Sequence, residues 1–131
     1  MQLQKHVNKR FKISIFTLLI GILLYLLFNN GIFEKNNLIS NIIRNYLPDM
    51  LWIISFFFAS ITFFKNITQK YIILTSIYVL SIGIIYEVMQ KLKIVFGTFD
   101  FIDILVYCIA IIIACFIEKN YMEGKNEKEK N

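Results

Sequence analysis

The chain reads as an all-α bundle of four transmembrane helices, and three observations support this. Hydrophobic residues make up 57% of its 131 residues, with a mean hydropathy of +0.62, more than an ordinary soluble domain carries. They gather in four runs, residues 13–28, 50–64, 71–86 and 104–117. No recurring polar face breaks these runs, whereas a water-exposed helix shows one every third or fourth position. The stretch ILTSIYVLSIGII, for example, contains only Thr, Ser and Gly among its apolar residues, and helix contacts in lipid accept these. The length suits one domain. Residues 1–118 form the membrane domain, and residues 119–131 a charged tail, expected to be disordered or a frayed helical extension.

The first run follows a basic leader and is uncharged from residue 13 to residue 33, long enough alone to span a bilayer. No small-residue cleavage site follows it, so it reads as an uncleaved helix. The loop after it, residues 29–46, holds Leu38, Ile39, Ile42 and Ile43 at helical spacing. A short interfacial helix lying flat on the membrane is expected there, before the chain turns in at Pro48 and Asp49. The remaining three runs reach about 20 residues only as 45–64, 71–90 and 100–117. These limits draw Asp49, Glu87, Gln90, Asp100 and Asp103 into the terminal turns of their helices. KNITQK forms a tight turn, and its Asn66-Ile67-Thr68 sequon is of no use on a cytoplasmic loop. Gly97 turns the chain into the fourth helix. Gly21, Ser76, Ser81, Gly83 and Ala114 could seat helix contacts within one chain or, in a homo-oligomer, between chains.

Ten of the fourteen basic residues fall on one side of the alternating helices, which places both termini in the cytoplasm. The net charge of +5 is then explained by inner flanks gripping anionic membrane lipid, with no need for nucleic acid. The abundance of Ile, Asn and Lys hints at an AT-rich bacterial genome, and hence at a bacterial cytoplasmic membrane. Cys108 and Cys115 share one helix face about 10 Å apart, too far for a disulfide, and packing accounts for them. No phosphate loop, nucleophile elbow or metal-ligand motif is present, so neither cofactor nor metal is expected.

What remains is an acidic cluster on the outer side. Glu87 and Gln90 are three residues apart on one face of the third helix, as are Asp100 and Asp103 on the fourth, with Tyr107 one turn further. Capping and the helix dipole suit Asp100, Asp103 and Asp49, each at or near the start of its helix. Glu87 sits near a C-terminus, where the dipole disfavours an anion. It needs a partner, for which Arg44, Lys91, Lys93 or a proton shared with Asp103 are candidates. With Trp52 at the interface, the cluster could bind a polar envelope component or serve only to tie the helices together. Two close carboxylates could also act as acid and base on an outer-leaflet substrate. A small transporter, flippase or holin-like pore is a further alternative.

The runs Tyr46-Leu47-Pro48-Asp49-Met50-Leu51-Trp52, Tyr86-Glu87-Val88-Met89-Gln90 and Gly97 through Tyr107 resemble those of the VanZ-like membrane proteins. That family pairs an E-x-x-Q at the end of one helix with a D-x-x-D at the start of the next. The resemblance covers residues 46–113. Phe99 stands where an arginine often precedes the first aspartate, and Tyr107 with an Ile-rich run replaces a common asparagine and glycine. The resemblance implies an accessory envelope protein, one that lowers susceptibility to the glycopeptide antibiotic teicoplanin in the founding case. Its polar signature here would be Glu87, Gln90, Asp100 and Asp103, with Asp49 and Trp52 on helix two. A lipid-linked envelope precursor or a glycopeptide would be the implied partner.

Overall fold

The computed structural model describes residues 2–30, 38–64 and 67–126, with side chains from residue 7 to residue 120 of these. Among the described residues every element is a helix: α1 Gln2–Asn29, α2 Leu38–Thr62, α3 Gln69–Lys91 and α4 Phe101–Asn126. Each contains a segment long and apolar enough to cross a membrane, namely Val7–Asn29, Leu38–Thr62, Gln69–Lys91 and Phe101–Asn120. The chain is a multi-pass membrane protein. In a membrane an apolar side chain gains little by turning inward, and accordingly large residues such as Phe16, Leu23, Ile77 and Ile112 remain exposed on the bundle.

The centre of the bundle is α2, which packs against all three other helices, whereas among the described residues α1 makes close backbone contact with α2 alone. Half of the buried core comes from α2, as Ile53, Ile54, Phe57, Phe58 and Ile61. Val79 of α3 and Tyr107, Ala110, Ile111 and Ala114 of α4 complete it. The α1 seam consists of Arg10, Ser14, Thr17, Gly21, Leu24 and Phe28, all buried or partly so. Their 4-3-4-3-4 spacing is that of left-handed helix pairing. Small residues allow the close approach: Ser14 Oγ donates to Ser55 O (3.0 Å) and Ser55 Oγ donates to Ser14 O (2.9 Å). A methyl group on Gly21 would already touch Leu51 Cβ at 3.4 Å and Pro48 O at 3.6 Å.

One expectation is corrected. The segment expected to lie flat as an interfacial helix is instead the first part of α2, continuous from Leu38 through Pro48 to Thr62. Pro48 has no N–H to donate to the Arg44 carbonyl, yet one missing bond does not end a helix whose neighbours pack well. Asp49 therefore lies well inside α2, and an N-terminal dipole cannot account for it. At the other end of the chain, the backbone of α4 continues helical to Asn126, and residues 127–131 lie outside the described residues, as does Asn66 of the sequon.

The turn after α3 is a Schellman cap. Lys93 N–H donates to Gln90 O and Ile94 N–H to Met89 O, both at 2.9 Å, with Lys93 in the left-handed region at φ 58°. Glycine is the usual residue at this position. Gly97, at φ +133°, provides a second reversal before α4.

Candidate functional site

Glu87 is one of the most deeply buried side chains of the molecule, 1% exposed near the end of α3. Gly83, one turn earlier, explains how it is held. With no side chain there, the Tyr107 ring of α4 lies directly on the α3 backbone, so close that a methyl group at Gly83 would come within 2.8 Å of Tyr107 Cδ2. From that seat the Tyr107 hydroxyl donates to Glu87 Oε1 at 2.7 Å. Glu87 Oε2 has no hydrogen-bond partner, and neither has the buried Oε1 of Gln90 one turn further. A buried carboxylate oxygen left unpaired is costly.

The start of α4 faces this pair. Asp100 caps the helix, its Oδ1 accepting from Ile102 N–H at 2.9 Å, and Oδ2 accepts from the Tyr46 hydroxyl of α2 at 3.2 Å. Asp103 stands in the first turn. Capping thus explains Asp100, while the Asp49 and Asp103 carboxylates accept no hydrogen bond from any described residue. Asp49, Glu87 and Asp103 line the same space between α2, α3 and α4.

That space is a cavity of about 440 Å³ at one end of the bundle. Asp49, Glu87, Gln90, Asp100, Asp103 and Tyr107 all line it, together with Arg44, Tyr46 and the end of α1 at Tyr25, Phe28 and Asn29. Alternating helix direction brings these groups together, since two helices start and two end at this level. Among the described residues, four carboxylates and one guanidinium thus line the same space. Among the described residues no three His, Cys, Asp or Glu side chains converge to hold a metal ion.

Other expected members of the cluster lie elsewhere. Trp52 does not line the cavity; it is exposed on the bundle surface, stacked on Phe56 with ring centroids 6.1 Å apart. Lys91 sits over the Phe99 ring at 5.2 Å, and Lys93 lines a separate recess with residues 94–97. Neither pairs with Glu87. Arg44 lines the cavity but forms no ion pair with Glu87. The partner that Glu87 does find is a neutral hydroxyl. The role of Tyr46 was missed, although it precedes Asp49 by three residues and so shares its helix face.

The opposite end holds a pair that hydropathy reading hid. Arg10 of α1 grips Glu118 of α4 with both oxygens engaged: Nε to Oε1 at 3.0 Å, Nε to Oε2 at 3.1 Å and Nη2 to Oε1 at 2.5 Å. Exposures of 5% and 1% make this a buried ion pair. By sequence Arg10 belongs to the basic leader expected to grip lipid, and Glu118 is the last residue of the expected membrane domain. Arg10 in fact stands on the 4-3 seam of α1, the one signal that could have placed it inside. Comparison with family models, curated proteins and solved structures finds no match for this chain.

Proposed function

We propose that the chain is a VanZ-like protein of the bacterial cytoplasmic membrane, with both termini inside. Its acidic cavity opens outward and binds a polar envelope component such as a lipid-linked precursor or a glycopeptide. The observation that carries this reading is Glu87, buried in a cavity with one oxygen unpaired. Purely structural carboxylates are normally satisfied by their own protein, and an ionisable group left short at membrane depth points to function. The majority of basic residues at the far side supports the outward orientation. A continuous pore fits less well, because Phe57, Phe58, Ile61 and Val79 fill the bundle interior.

The test is complementation in a bacterial host lacking this chain, scored as susceptibility to glycopeptide and other envelope antibiotics. Wild type should restore resistance, and Glu87→Gln/Asp103→Asn should lose it at equal membrane abundance. Equal restoration by both would overturn the reading.

A further inference from the structure

We infer that the cavity selects a ligand bearing a primary ammonium group beside an anionic group, the chemistry of a phosphoethanolamine headgroup. This rests on the reading of the cavity as a binding site and names what it recognises.

The argument is an inventory of donors and acceptors. Glu87 Oε2 and Gln90 Oε1 are buried acceptors without partners. The Asp49 and Asp103 carboxylates add further acceptors that no described residue engages. Tyr107 already donates its one hydroxyl proton to Glu87. Around Glu87 the cavity therefore offers unpartnered acceptors and negative charge. A sugar hydroxyl supplies a donor but leaves the charge uncompensated. A bare metal ion needs converging ligands, and among the described residues no three converge. A quaternary ammonium brings charge without an N–H. A primary ammonium brings both, with three donors on one atom. Arg44 supplies the complement: among the described residues it is the only cationic side chain lining the cavity, and it is more exposed than Glu87. Among the described residues it has no hydrogen-bond or ion-pair partner. A guanidinium so placed matches a phosphate. Glu87 is thus more deeply buried than Arg44, an order that suits a zwitterion entering amine first.

The full chain in detergent would be titrated with short-chain phosphatidylethanolamine, phosphatidylcholine and phosphatidylglycerol, and with free phosphoethanolamine, with binding read by native mass spectrometry. The ethanolamine lipid should bind about tenfold more tightly than the other two lipids, the ratio expected of one charge-assisted hydrogen bond. Glu87→Gln keeps an acceptor for Tyr107 and should lose about that factor. Arg44→Ala, at a less buried position, should weaken binding independently of any folding defect in the first variant. Competition by free phosphoethanolamine equal to that of the lipid would make a soluble amine the ligand; weaker competition would make it the lipid. If all three lipids bind equally and Glu87→Gln weakens each, the cavity is a site but the amine selectivity is overturned. If neither variant changes any affinity, only surface lipid is bound, and both the selectivity and the site are overturned.

Discussion

The two ends of the bundle bury charge in opposite ways. At one end Arg10 and Glu118 meet as cation and anion, with both carboxylate oxygens engaged and almost no exposure. At the other, Glu87 is equally buried but is held by a hydroxyl through one oxygen, beside two further carboxylates that no described residue bonds. The first arrangement closes the fold: it links α1 to α4, which do not otherwise approach closely among the described residues. The second leaves an electrostatic demand open toward a cavity. Burial alone therefore does not distinguish the two acids; the number of satisfied oxygens does.

The contrast can be broken most sharply at the closed end. Glu118→Ala removes the Arg10 guanidinium's carboxylate and should lower stability by about 3–5 kcal/mol, read from denaturant unfolding in detergent. Replacing both partners, as Arg10→Met with Glu118→Leu, should recover most of that loss. If the single substitution costs under about 1 kcal/mol, the pair behaves like an exposed one and the contrast between the ends fails. At the open end, Gly83→Ala drives a methyl group into the Tyr107 ring and should cost about 1–3 kcal/mol. It should also weaken ligand binding, because Tyr107 can no longer hold Glu87 in place. Lost stability with unchanged binding would show that the Tyr107–Glu87 bond does not shape the site. The smallest effect is expected at Lys93. Lys93→Gly relieves a left-handed residue and should stabilise by up to about 1 kcal/mol, with binding unchanged because Lys93 lies outside the cavity. A fall in binding would bring Lys93 back into the site.

Much of this molecule was legible before folding was considered. Four helices follow from four apolar runs, because the cost of an unpaired backbone in lipid leaves helices as the local solution for such segments. The gathering of Asp49, Glu87, Gln90, Asp100, Asp103 and Tyr107 at one level follows from alternating direction, a matter of counting along the chain. The extent of α2 was not legible in the same way. Pro48 and Asp49 look like a helix start, and it is packing against α1, α3 and α4 that carries the helix through them. Trp52 shows the same limit, since it sits only three residues from Asp49 and yet faces away from the cavity.

Hydropathy and residue order thus suffice for the helices, their alternation and the level of each polar group, since these depend on the transfer of local segments between water and lipid. Which groups touch is a different question. The Glu87–Tyr107 bond spans 20 residues and the Arg10–Glu118 pair spans 108. Both depend on how each helix is rotated about its own axis. In a bilayer both the lipid face and the protein face of a helix are apolar, so rotation leaves little mark on composition. It is set by close packing at Gly21, Ser55, Gly83 and Ala114, where small residues let particular neighbours meet. Tertiary structure therefore decided which acid was closed by a countercharge and which was left open to a cavity.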